Sequence, residues 1–257
     1  MLGKNRIKLI KSLEYKKFRN KEKLFVAEGV KLITSLSDSG ILIATLIGTP
    51  EFFAGAGKEK EAAGEIIIAE EPELAKASYL KTPPPCIALC RIPDYSTEEI
   101  SPMEELVVCL DDVQDPGNLG TIVRLAGWFG IKDIVCSEQT ADIYNPKAVQ
   151  ATMGAIAGVR VHYTSLIRFL EMHKQGNIEV TGTFLEGENI YSARLPANGI
   201  VVLGNEGKGI SPELFSSITR KIRIPDFSGG PGKPESLNVS MAAAIVLSEF
   251  RRRTARA

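Results

Sequence analysis

Histidine is almost missing from this sequence: His162 and His173 are the only two in 257 residues. Cysteine is scarce as well, limited to Cys86, Cys90, Cys109 and Cys136. Cys86 and Cys90 are four apart, which is not C-x-x-C, and neither histidine is near a cysteine in sequence. That spacing excludes a zinc framework or a disulfide scaffold. Cys109 and Cys136 lie inside apolar runs and read as core residues. No apolar run approaches the ~18 residues a membrane span needs. The lysine-rich start has no apolar stretch behind it, unlike a signal peptide. A soluble, cytoplasmic protein is expected. Net charge is lacking too, since 31 Lys and Arg balance 31 Asp and Glu. Total charge therefore does not point to nucleic acid.

The distribution of charge says more. Residues 1–31 carry ten Lys/Arg against three Asp/Glu, and residues 51–115 carry five against fifteen. The tail FRRRTARA is basic again. An asymmetry of this kind suits a polyanion at one end, although a solvated basic helix would look the same. Lys4, Arg6, Lys8, Lys11, Lys16, Lys17 and Arg19 are the candidate phosphate contacts.

Prolines divide the chain at KTPPPC (81–86) and RIPDYSTEEISPMEE (91–105). Residues 1–92 are expected to form one domain, 93–104 a linker and 105–257 a second domain. The first half reads as a small α/β unit: a helix over 4–17, a strand and helix in FVAEGVKLITSLSDSG, strands in ILIATLIGT and EIIIAE, and a helix in EEPELAKASYLKT. After the linker, strands are predicted at 106–111, 133–137, 178–185, 199–204 and 220–226. Helices are predicted near 118–129, 146–157, 165–174, 211–217 and 236–253. That alternation predicts an α/β fold with a mostly parallel sheet. Ligands then sit beyond the carboxyl ends of the strands.

Three loops lie there. DDVQDPGN leads into a helix whose Leu119, Ile122, Ala126 and Phe129 share one face. Gly120, Arg124 and Trp128 fall on another side, which frees Arg124 to point at a ligand, and Asn118 is a good helix cap. LGNEGKGIS places Glu206 among three glycines that let backbone approach a ligand closely. Lys208 is not followed by Ser or Thr, so this is no P-loop. IPDFSGGPGKPESLN crowds Ser236, Asn238 and Ser240 at the start of a helix, more polar groups than one cap needs. No G-x-G-x-x-G follows the first strand of this region, which removes a nicotinamide enzyme.

Together these stretches resemble the three motifs of the SpoU (TrmH) family of RNA ribose 2′-O-methyltransferases, in the SPOUT superfamily. DPGNLGTIVRLAGWFG is similar to the first motif, VVLGNEGKGIS to the second, and IPDFSGGPGKPESLNVSMAAAI to the third. Residues 1–92, through FVAEGVKLI, resemble the ribosomal-protein-like RNA-binding domain that precedes the catalytic domain in many members. The resemblance implies a catalytic domain with a C-terminal trefoil knot, a homodimer, and S-adenosylmethionine as cofactor. It implies cofactor contacts at Gly204, Ile224 and Leu237, with Leu203 nearby. It assigns the methyl transfer to Arg124, oriented by Asn118, with Glu206 and Asn238 holding the arginine or the ribose and Ser236 shaping the pocket. The two-domain layout resembles the family's ribosomal-RNA enzymes, so ribosomal RNA is expected as the partner. A transfer-RNA methyltransferase and a non-catalytic RNA-binding module of the same fold are the alternatives. Two departures stand out: the extra run SGGPGKP in the third loop, and Ala-Thr-Met-Gly in NPKAVQATMGAIAG, where relatives more often carry a serine.

Overall fold

The structure is a computed structural model, and it describes residues 2–174, 176, 178–228 and 235–252. Two compact units emerge: Met1–Asp94 with Asp142–Gly158, and Tyr95–Ala141 with Val159–Ala257.

The first unit holds strands β1 (Leu24–Glu28), β2 (Ile43–Gly48), β3 (Ile66–Ile68) and β4 (Cys86–Arg91) in the order β1-β4-β2-β3. β4 runs antiparallel to both β1 and β2, and β3 is parallel to β2. Its core gathers Ile10, Leu13, Val26, Ile47, Leu74, Ile87 and Leu89. Burying each such side chain stabilises the fold by roughly 1.5–3 kcal/mol.

The helix expected over 4–17 is two helices, Lys4–Ser12 and Lys16–Glu22. The reason is Arg19. Its guanidinium donates to the carbonyls of Leu13 and Glu14 at 2.7 Å each, and to Asp142 Oδ2 at 2.6 and 3.0 Å. Those carbonyls serve the arginine in place of a continuous helix ladder. Arg19 is only 2% exposed, so it is no phosphate contact. Arg6 pairs with Glu65 at 2.8 Å, and Lys11 donates to the Ser78 carbonyl at 2.5 Å. The exposed cations of this region are Lys4, Lys8, Lys16, Lys17, Lys21 and Lys23.

The second unit holds β5 (Leu106–Leu110), β6 (Asp133–Cys136), β7 (Arg160–Tyr163), β8 (Val180–Asn189), β9 (Gly199–Leu203) and β10 (Arg220–Arg223). The order is β10-β8-β9-β5-β6-β7, and every pair is parallel. β5, β6 and β9 are buried along their whole length, as a parallel sheet covered on both faces requires. Val107, Cys109, Val135, Phe169, Ile200 and Val202 join in one core. All four cysteines are buried and free, and burial pushes the Cys86 and Cys90 thiols up to about 12.

β7 was not anticipated. Its sequence, RVHY, mixes polar residues into a short run, and their partners explain why a strand still forms. His162 Nε2 meets Asp133 Oδ1 at 2.8 Å, and Arg160 donates to both Asp133 oxygens at 2.7 and 2.8 Å. Burial pushes the Asp133 carboxyl up, but the His162 and Arg160 hydrogen bonds prevail and hold it below its usual value. The helix expected over 146–157 covers Pro146–Ala151, with a separate short turn at Ala155–Ala157. It breaks where Met153 and Gly154 take positive φ, 50° and 98°. Among the described residues no helix is long and apolar enough to cross a membrane.

The Arg19–Asp142 pair gives a stability test. Asp142→Ala strands a buried guanidinium, which typically costs 3–5 kcal/mol. Two carbonyls still accept from Arg19, so a loss of about 3 kcal/mol is expected in urea unfolding of the whole chain. An unchanged midpoint would show that the pair is dispensable.

Candidate active site

The site forms at the carboxyl ends of the neighbouring strands β5 and β9. The chain leaves β5 through Asp111 and Asp112 and enters the helix Pro116–Trp128. Proline at the first helical position is preorganised for this, since its missing N–H would have no partner there. The cap is Asp115, not Asn118 as expected: Asp115 Oδ1 accepts the Asn118 N–H at 2.9 Å. The helix thus starts earlier than predicted, and the Asn118 side chain is released for other work. Leu119, Ile122, Val123 and Ala126 bury the inner face. Gly120 is buried as well, contrary to expectation, whereas Arg124 is exposed and Trp128 is 85% exposed.

Asn118 uses both ends of its amide. Nδ2 donates to Glu206 Oε1 at 3.0 Å, and Oδ1 accepts from Asn238 Nδ2 at 3.1 Å. Residues 88 and 120 positions away in sequence are thereby joined on one side chain. Asn238 in turn caps the last helix, Val239–Arg252, through its Oδ1, which accepts from the Ser240 N–H and hydroxyl at 2.9 and 2.6 Å. That helix begins at Val239 rather than at Ser236. Ser236 is exposed and, among the described residues, takes no part in this network. Nor does Arg124: Asn118 engages Glu206 and Asn238 instead of the arginine.

The loop after β9 is held by a residue that the motifs do not single out. Asn205 Oδ1 accepts the N–H groups of Gly207 and Lys208 at 2.9 and 3.0 Å, and its Nδ2 donates to the Asp112 carbonyl at 2.8 Å. Asp111 Oδ2 accepts the Ser211 N–H at 2.7 Å. An Asn inside a glycine-rich turn is the usual signal for such local bonding. These bonds fix where Glu206 stands. Gly204 is needed for close approach alone: a Cβ there would lie 2.2 Å from the Gly209 carbonyl carbon and 2.3 Å from the Ile210 nitrogen.

The backbone near this network has spare capacity. Among the described residues, the peptide groups of Gly204, Ile224 and Leu237 enter no hydrogen bond, although Leu203 O accepts the Asp111 N–H. Leu203 is buried, Ile224 and Gly204 are half-buried, and Leu237 is 48% exposed. Unpaired N–H and C=O groups of this kind are open to a ligand. The run SGGPGKP, past Ser228, lies outside the described residues.

The model of the SpoU rRNA Methylase family matches residues 105–248. The chain belongs to this family. Residues 4–88 match the MRM3-like substrate binding domain. Among relatives, the 23S rRNA (guanosine(2553)-2′-O)-methyltransferase RlmP of Bacillus subtilis is 28% identical over 247 residues, 96% of each chain. A solved structure from Porphyromonas gingivalis, described as an RNA methyltransferase of the TrmH family, is 37% identical with a TM-score of 0.88, covering 98% of this chain and 99% of that one. The AdoMet-bound rRNA methyltransferase of Sinorhizobium meliloti is 29% identical, also with a TM-score of 0.88, covering 98% and 96%. Both domain types and their order in this SpoU member follow the two-part reading of the sequence.

Gly204→Ala tests the close backbone packing that shapes the loop. The added methyl cannot fit without moving residues 209–210, so S-adenosylmethionine affinity should fall at least tenfold by calorimetry, the scale expected when a close backbone approach is blocked. Wild-type affinity would mean that the loop accommodates the methyl and does not shape the cofactor site.

Proposed function

We infer that this protein is an S-adenosylmethionine-dependent RNA methyltransferase that modifies a ribose 2′-hydroxyl in ribosomal RNA. The observation that carries this reading is the Asn118–Glu206–Asn238 network beside the unpaired peptide groups of Gly204, Ile224 and Leu237. The cytoplasm is the compartment where such a substrate is met.

When bound, S-adenosylmethionine supplies an electrophilic methyl on a positively charged sulfur. The chain must then place the ribose oxygen and manage its charge. Arg124 is a cation with a free pKa above ~12, a poor proton acceptor. Its role is to hold the adjoining phosphate and to stabilise negative charge that develops on the 2′-oxygen as the hydroxyl proton passes to solvent water. Asn118 does not contact Arg124 in this structure, so its part is to fix Glu206 and Asn238, whose remaining polar atoms face the ribose. Ser236 completes the rim. No phosphoryl group moves, so the loop after β9 has no need of a P-loop lysine.

A C-terminal knot belongs to the same reading. β10 lies at one edge of the sheet, two strands away from β9, yet the chain returns to place Asn238 on Asn118. A homodimer also belongs to it. The helices Pro116–Trp128 and Val239–Arg252 pack on each other and leave Trp128 85% and Met241 57% exposed. Each is a large apolar side chain that a dimer interface over this helix pair would cover.

Two measurements test the reading. In single-turnover methyl transfer to ribosomal RNA, Arg124→Ala should lose ~10²-fold or more in rate, the usual cost of one charge-stabilising donor, with cofactor affinity unchanged. Arg124→Lys should recover little, because an ammonium lacks the planar fork. Near-normal turnover of the lysine variant would refute the role of Arg124, and no transfer by wild type would favour a binding module. In sedimentation, Trp128→Glu should convert a dimer into monomers, whereas a monomeric wild type would sink the dimer.

A further inference from the structure

The turn between the first two helices is built with unusual care. Residues 13–15 connect Lys4–Ser12 to Lys16–Glu22. Leu13 is fully buried, but Tyr15, two residues on, is 59% exposed. Beneath it the buried Arg19 clamps the carbonyls of the two residues just before Tyr15, at 2.7 Å each, and is itself anchored by Asp142. Burying a guanidinium carries a desolvation cost of several kcal/mol, so such a device tends to hold something in place.

What it holds is an aromatic ring among cations. Lys16, Lys17, Lys21 and Lys23, all on the helix that Tyr15 begins or at its end, are exposed, and Lys21 Nζ lies 3.6 Å from Glu22 Oε1 at the surface. Tyr15 meets Phe18 edge-on, with centroids 6.5 Å apart, which supports the ring without covering its face. Lys17 Nζ lies 4.9 Å from the Phe18 ring centroid, so the charge and the aromatic pair form one surface. Lys23 ends the second helix in the left-handed region, at φ 54°, and keeps its side chain in solvent. An exposed ring on a segment rich in exposed cations is the pattern that binds unpaired nucleic acid: bases stack, and phosphates meet the lysines. A duplex offers phosphates but no free base face.

We propose that Tyr15 is a stacking platform for an unpaired nucleobase of the RNA substrate, that Lys21 and Lys23 take the flanking phosphates, and that the buried Arg19–Asp142 pair is the device that presents it. This rests on the RNA methyltransferase reading and narrows its substrate to RNA with a single-stranded stretch near the modified nucleotide.

The test is fluorescence anisotropy of the full chain with an unstructured RNA 12-mer and with a duplex of the same length. Tyr15→Ala should weaken single-strand binding roughly tenfold, within the usual cost of removing one stacking ring, and leave the duplex almost unchanged. Tyr15→Phe and Tyr15→Trp should bind like wild type, which also shows that folding is not at issue. The salt dependence should stay the same in Tyr15→Ala, whereas Lys21→Gln with Lys23→Gln should flatten its log–log slope by roughly 0.7 for each phosphate no longer neutralised. Equal losses for both RNAs, or no loss with Tyr15→Ala, would overturn the platform. A wild-type chain that binds S-adenosylmethionine but neither RNA would instead remove the RNA reading on which it stands.

Discussion

The site depends on one primary amide. Asn118 is the point at which three segments meet, each following a different strand or preceding a different helix. An amide is the smallest side chain that can donate at one end and accept at the other. Here the donor end faces the carboxylate of Glu206 and the acceptor end faces the amide of Asn238. An aspartate at 118 would repel Glu206, and an alanine would leave both partners unheld. Because Asn238 also caps the last helix, the position of that helix and the position of Glu206 are set by the same side chain. Arg124 stands apart from this scaffold and is exposed.

Much of this is legible in the sequence because a parallel sheet writes its pattern plainly. Runs such as LVVCL and GIVVL are buried on both faces, and their carboxyl ends mark where ligand loops must lie. The motifs at Asn118, Glu206 and Asn238 stand at those ends. What sequence does not reveal is local bonding that no periodicity encodes. β7 is a strand because Asp133 pairs with both His162 and Arg160, a condition visible only when β6 lies beside it. The helix at 116 begins at its proline because Asp115 can reach the Asn118 N–H, and the residue with the better reputation as a cap serves elsewhere. Asn205 looks like one more turn residue, yet it organises the loop that carries Glu206.

The basic first third reads as one positive face in sequence, and packing divides it. Arg6, Lys11 and Arg19 are turned to Glu65, the Ser78 carbonyl and Asp142. At the other end of the chain, Arg251 donates to the carbonyl of Phe129 at 2.8 Å, at the close of the helix that carries Arg124. A cation there also complements the negative end of the helix dipole. Arg252 pairs with Glu249 at 2.9 Å. Counting cations overstates a binding surface when the same side chains serve as caps and braces.

The boundary between the two parts follows packing more than sequence. The SpoU family match runs without interruption over 105–248, yet Asp142–Gly158 packs with the first unit. Tyr144 stacks near Phe25 with centroids 5.0 Å apart, and Gln150 donates to the Glu28 carbonyl at 3.2 Å. Those partners lie on β1, in the phrase FVAEG. The segment also contains the Ala-Thr-Met-Gly departure, with Met153 52% exposed at positive φ. The unit matched to substrate binding is thus completed by residues borrowed from the methylase sequence. Cutting the chain at the proline-rich linker would leave Arg19 without its carboxylate on one side and Asp142 without its cation on the other. The first unit therefore does not end at the proline-rich linker but takes in Asp142–Gly158 as well.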